Sequence, residues 1–305
     1  MRKRDFIALD DYSSKDIETI IKLARQLKKD PGKNSDLLKG KSIALIFQKP
    51  SNRTRVSFET GIFQLGGNAI YLAPDDISLG KREPTADIAR TLSRYVGGIV
   101  ARVFDHQDLI ELSRFSTVPV INALSDMLHP CQALADILTV KEKFGAFKGV
   151  KMAFIGDGNN MTNSLMITAA KVGMDMVVAT PKGYEPDAVY VRKAQDCAKQ
   201  TGATITLTHD PKAAARGADV LYTDTWVSMG QEEETKERLK DFKGYQIDKK
   251  LASLASKDYI FMHCLPAHRG QEVAADVIDG EHSVIFDEAE NRLHVQKAVM
   301  VFLYT

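Results

Sequence analysis

The sequence predicts an α/β protein of two similar-sized domains, each a parallel sheet flanked by helices, with the active site in the cleft between them. Three observations predict it. Short apolar runs alternate with helical patterns along nearly the whole chain, and such alternation builds parallel sheets covered by helices. A polar stretch from Gly145 to Gly149 divides the pattern into two comparable sets. At 305 residues, the chain is long enough to bury two cores.

Ser13 or Ser14 caps a first helix whose apolar positions, Ile17, Ile20, Ile21, Ala24 and Leu27, recur at helical spacing until Pro31-Gly32. Strands are then expected at 43–47, 69–72, 98–103 and 118–122, with helices at 56–65, 85–95 and 107–114 between them. A long helical stretch, 131–144, leads to the boundary. Beyond it, strands are expected at 151–155, 176–179, 204–207, 220–223, 259–262 and 283–286, and an amphipathic helix at 288–303. In such sheets, ligands sit at the carboxyl ends of the strands and in the cleft.

Composition narrows the function. The chain is 44% hydrophobic and 27% charged, ordinary for a soluble protein. A net charge of +1 gives no electrostatic case for nucleic acid or an acidic membrane. Cys131, Cys197 and Cys264 are odd in number and far apart, which argues against a disulfide framework and for a reducing compartment. Met1-Arg2-Lys3-Arg4-Asp5 is basic without an apolar continuation, and no run has membrane-spanning length, so a cytoplasmic location is expected.

The polar clusters fall where strands should end. Ser51-Asn52-Arg53-Thr54-Arg55 follows the first strand and opens a helix, whose free N–H groups and positive dipole end attract anions. Arginine adds planar donor forks suited to phosphate. Arg102 ends an apolar strand and reaches either the cleft or Asp105 or Asp108. His129-Pro130-Cys131-Gln132 starts the long helix, with Pro130 suited to a first turn. Gly156-Asp157-Gly158-Asn159-Asn160-Met161 invites a dinucleotide reading, but Met161 stands where a third glycine is needed. A turn presenting Asn159 or Asn160 to a polar substrate is the better reading. Asp224, with Ser228 and Met229 on the loop behind it, suits an ammonium group. In His263-Cys264-Leu265-Pro266 the adjacent side chains point apart, so His263 does not activate Cys264, and with no C-x-x-C partner no metal is expected.

These residues together resemble the aspartate/ornithine carbamoyltransferase family. Ser51 to Arg55, Arg102, and His129 to Gln132 are similar to its carbamoyl phosphate site. Asp224 with Ser228-Met229-Gly230, Asn160, and His263 to Pro266 are similar to the acceptor half-site of its ornithine-specific members, and Arg292 to a late carbamoyl phosphate arginine. An aspartate-specific member would carry a basic second site instead. The resemblance implies a carbamoyl phosphate-binding domain, 1–147, completed by the C-terminal helix 288–305, and an ornithine-binding domain, 148–287. It implies carbamoyl phosphate contacts from Ser51, Asn52, Arg53, Thr54, Ser78, Arg102, His129, Pro130, Cys131, Gln132, Cys264, Leu265 and Arg292. Ornithine contacts come from Asn160, Asp224, Ser228 and Met229. The catalytic group it implies is Arg102, His129, Asp224 and Cys264. Asn52 and Ser78 depart from the family's usual Thr and Gln. The loop 78–83 reaches a neighbouring subunit in this family, which implies a homotrimer or a multiple of trimers.

The implied reaction is carbamoyl phosphate plus L-ornithine giving L-citrulline and phosphate, in arginine biosynthesis, with no metal or organic cofactor. Thr54, Arg102 and His129 would polarise the carbamoyl oxygen, Gln132 would hold its nitrogen, and Cys264 would orient the attacking amine. Cys264→Ala leaving turnover and its pH profile unchanged would remove that last role. The alternatives are a transcarbamoylase for putrescine or an acylated ornithine and, in another class, a nicotinamide-dependent dehydrogenase.

Overall fold

The computed structural model describes residues 4–227 and 232–305. The chain divides into two compact units, Met1–Leu138 with Glu290–Thr305, and Thr139–Ala289.

The first unit begins with α1 (Ser14–Lys29). Ser13 accepts from the Asp16 backbone N–H while the Asp16 carboxylate accepts from that of Ser13, and the apolar stripe of the helix is buried. The order continues β1 (Ser42–Phe47), α2 (Asn52–Gln64), β2 (Asn68–Leu72), α3 (Pro74–Ile77), α4 (Thr85–Tyr95), β3 (Gly98–Arg102), α5 (His106–Phe115), β4 (Val120–Leu124) and α6 (Pro130–Phe144). The strands form one parallel sheet in the order β2-β1-β3-β4, with Leu45 opposite both Tyr71 and Val100. Residues 43–47 of β1 are all buried, as a strand covered on both faces requires.

The second unit holds β5 (Lys151–Ile155), α7 (Asn160–Val172), β6 (Asp175–Ala179), α8 (Ala188–Thr201), β7 (Ile205–Thr208), α9 (Pro211–Ala215), β8 (Val220–Thr223), α10 (Thr235–Asp241), α11 (Lys249–Ala252), β9 (Ile260–His263) and α12 (Ala275–Ile278). Its parallel sheet runs β7-β6-β5-β8-β9. The last helix, α13 (Ile285–Tyr304), starts in this unit and ends in the first.

Each sheet reverses its strand order at one place, between β1 and β3 and between β5 and β8. Loops leaving such neighbours diverge and open a ligand crevice. The loops after β1, β5 and β8 carry Ser51, Asn159 and Asp224, and Arg102 is the last residue of β3.

Two expectations shift. The strand expected at 118–122 lies at Val120–Leu124. Ser116 makes a turn with both backbone groups of Val118, and Pro119 has no N–H to give. The strand expected at 283–286 is a single bridge, Phe261 to Ser283, and the helix starts at Ile285. Val284 and Ile285 are buried as a helix start rather than a strand, with Asp287 and Glu288 in the first turn, where the helix dipole favours them. Short apolar runs do not distinguish the two.

Candidate active site

In the first unit, Ser51 is the N-cap of α2 and its hydroxyl accepts the Thr54 backbone N–H at 3.3 Å. The Ser51 and Thr54 hydroxyls lie 3.1 Å apart, and Arg292 of α13 donates to the Thr54 hydroxyl at 2.7 Å. Thr54, Arg102, His129 and Arg292 are all buried. Burial holds the His129 imidazole well below the ordinary histidine range, and the charges of Arg292, Arg102 and Arg53 act in the same direction. His129 is therefore held neutral, with Arg53, Arg102 and Arg292 near enough for their charges to act on it. Asp105 and Asp108 are committed elsewhere: Asp105 caps α5, and Asp108 accepts from Thr85 and Gln48.

Arg55 departs from the expected cradle. It pairs with Glu59 at 2.8 Å and lies 3.7 Å from the centre of the Tyr71 ring. Two residues apart on a helix, Arg53 and Arg55 cannot share a face. Asn52 accepts the Arg53 backbone N–H at 2.7 Å. Gln132, fully buried on α6, donates to Asp136 one turn later at 2.8 Å. Burial pushes the Cys131 thiol up to about 12, and it donates to the Asn122 carbonyl at 3.5 Å, so it is no nucleophile. Ser78 caps the C-terminal end of α3 in the left-handed region at φ 43°, ahead of the exposed Lys81-Arg82-Glu83.

In the second unit, Asp224 follows β8 and is buried. One oxygen accepts the Cys264 thiol at 3.0 Å and the Thr225 backbone N–H at 2.7 Å; the other accepts the Asn159 amide at 2.8 Å. Asn159 also caps α7, accepting from the backbone of Met161 and Thr162. Asn159 is thus the supporting residue of the pair, and Asn160 begins the helix beside it. Ser228 and Met229 lie outside the described residues. Arg238 binds the Trp226 carbonyl at 3.1 Å, Glu234 at 2.7 Å and Asp157 at 2.9 Å. Burial pushes the Asp157 carboxyl up to about 6, against the pull of Arg238.

The sequence matches the profile described as aspartate/ornithine carbamoyltransferase, carbamoyl-P binding domain, over residues 4–142, and that of the Asp/Orn binding domain over 148–303. The chain belongs to the aspartate/ornithine carbamoyltransferase family. It is 54% identical over 302 residues to the ornithine carbamoyltransferase of Thermococcus kodakarensis, spanning 98% of this chain and 96% of that protein. It is equally identical, at 54% over 302 residues, to the anabolic ornithine carbamoyltransferase of Pyrococcus furiosus, with the same coverage of 98% and 96%. A solved structure of ornithine carbamoyltransferase from Pyrococcus furiosus superposes with a TM-score of 0.96 at 54% identity, covering 99% of this chain and 97% of that one. The Gloeobacter violaceus structure gives 0.90 at 44% identity, covering all of both chains.

Membership of this carbamoyltransferase family fits the second glycine of Gly156-Asp157-Gly158. A Cβ on Gly158 would stand 2.3 to 2.5 Å from backbone atoms of residues 184–186. The glycine admits the close approach of a neighbouring loop. Asp224, His263 and Cys264 bring possible metal-ligand atoms within 4.8 Å of one another. His263, however, has both ring nitrogens engaged, with the Leu265 amide and with Glu272. Asp136 was within reach of the sequence, four residues after Gln132 on a helix. For Arg238 the sequence offers only the i,i+4 spacing to Glu234; its other partners, Asp157 and the Trp226 carbonyl, are brought near by folding.

Proposed function

We propose that the chain transfers the carbamoyl group of carbamoyl phosphate to the side-chain amine of L-ornithine, giving L-citrulline and phosphate. The observation that carries this reading is the neutral, buried His129 among Arg53, Arg102 and Arg292 at the N-terminus of α2. Ser51, Asn52, Arg53, Thr54 and Arg292 receive the phosphate. Arg102, His129 and Thr54 donate to the carbamoyl oxygen, and Gln132, held by Asp136, meets the carbamoyl nitrogen. Pro130, Cys131 and Leu265 shape its surroundings, and Ser78 comes from the neighbouring subunit's loop. Asn160, Asp224, Ser228 and Met229 hold ornithine. Its neutral amine attacks the carbamoyl carbon, the bond to the phosphate oxygen breaks, and the nitrogen sheds a proton that the departing phosphate can take. Each preorganised donor to the oxyanion is worth about 3 kcal/mol.

The free amine has a pKa of about 10.4, so roughly one molecule in a thousand is neutral at pH 7. Cys264, fixed on Asp224, orients that amine. An acidic and neutral acceptor site suits ammonium groups and disfavours a dicarboxylate acceptor. The enzyme serves arginine biosynthesis in the cytoplasm, a placement that activity sedimenting with membranes or exported from cells would contradict. It assembles as a homotrimer or a multiple of trimers. Val56 and Phe63, one stripe of α2, are 60% and 78% exposed, and Ile70 on edge strand β2 is also exposed, which supports a second copy as their cover. The deciding assay measures ureido product from carbamoyl phosphate with ornithine, putrescine, acetylornithine and aspartate in parallel. Ornithine is expected to react; its failure beside a reacting rival sinks the reading.

A further inference from the structure

The second unit fully buries a pair that the reaction does not use, His263 and Glu272. His263 ends β9, and its surroundings fix where its ring proton sits. The Leu265 backbone N–H donates to Nδ1 at 2.9 Å, so that nitrogen carries no proton. The proton is on Nε2, which faces Glu272 Oε1 at 3.3 Å. The same oxygen accepts the His268 backbone N–H at 2.5 Å. A single carboxylate therefore gathers both ends of the loop 263–268. Glu288 secures the start of that loop as well, accepting the His263 backbone N–H at 2.9 Å and the Tyr222 hydroxyl at 3.2 Å.

What these bonds hold is an unfavourable backbone. Leu265 lies at φ 58°, the left-handed region that side chains other than glycine rarely adopt. Such a conformation persists only where its surroundings over-determine it. Its neighbour Cys264 donates to Asp224 at 3.0 Å, on the opposite side of the chain from the His263 ring.

We propose that the neutral His263 ring and Glu272 are positioning residues: Nδ1 fixes the left-handed Leu265, Glu272 draws in the His268 end of the same loop, and together they hold the Cys264 thiol against Asp224. The proposal rests on the carbamoyl-transfer reading and adds two residues behind the acceptor site. A small error in the placement of an attacking group costs up to about 100-fold in rate.

Asparagine and glutamine separate the two ring nitrogens. In His263→Asn the amide oxygen replaces Nδ1 and still accepts from Leu265. In His263→Gln the amide reaches the Nε2 position and leaves the Leu265 amide without its acceptor. The expected result is a kcat roughly 100-fold down in His263→Gln, with most of the turnover retained in His263→Asn. Glu272→Gln, which keeps an acceptor oxygen, stays near wild type, and Glu272→Leu falls with His263→Gln. Binding of inorganic phosphate, which needs only residues of the first unit, stays at wild-type affinity in all four. Equal turnover in the two His263 variants, or in the two Glu272 variants, overturns the proposal. Where a variant loses phosphate binding as well, 15N-histidine NMR of the unaltered protein decides. A neutral ring protonated on Nε2 at pH 7 supports the proposal; an imidazolium or a ring protonated on Nδ1 overturns it. Unaltered protein that forms no citrulline overturns the functional reading instead and leaves the tautomer result to stand alone.

Discussion

At His129 the fold decides the charge of an ordinary side chain. Its folded pKa lies below the unfolded value of about 6.5, so as pH falls the unfolded chain takes up the proton first. Stability tied to this group is intact above pH 6.5 and is lost progressively below it. Thermal melts from pH 8 to pH 5 should therefore lose less Tm in His129→Gln than in the unaltered chain. Equal losses would mean that the imidazole is not held neutral. The same residue scale shows where sequence reading stops. Ser51, Arg102, His129 and Asp224 stood out because polar groups at strand ends have few other uses. Arg55 looked equivalent to Arg53 until the helix assigned them opposite faces. Glu272 and Arg238 were not singled out, because their partners His263, Asp157 and the Trp226 carbonyl are brought near only by folding.

Among the elements, the parallel strands were legible nearly to the residue, since a buried strand is an uninterrupted apolar run between turn residues. Residues 283–286 had the same signature and lead into a helix start, because three apolar residues carry no period of their own. The Gly156-Asp157-Gly158 turn is read correctly only with its neighbour in place. Gly158→Ala would drive a methyl group into the backbone of residues 184–186. Overpacking of this kind costs about 1 to 3 kcal/mol. A fall in Tm of several degrees is expected, together with a raised KM for ornithine, since Asn159 in the same turn holds Asp224. An unchanged Tm would show that the loop yields freely.

At the scale of the whole molecule, the division into two α/β units was legible from the alternation of patterns, while the assembly was not, because its contacts belong to surfaces. Phe63→Glu places a charge in the exposed α2 stripe. Light scattering should find the unaltered chain as a trimer or a multiple of it, and the variant as a smaller particle with reduced turnover. An unaltered chain that runs as a monomer removes the trimer proposal. The bond between Arg292 and Thr54 closes the proposed phosphate cradle across 238 positions of sequence. Ribosomes add about 5 to 20 residues per second, so the last donor of the cradle emerges on the order of ten to fifty seconds after Thr54. Throughout that interval Thr54 waits for its Arg292 partner, so the proposed anion site is assembled late in the growth of the chain.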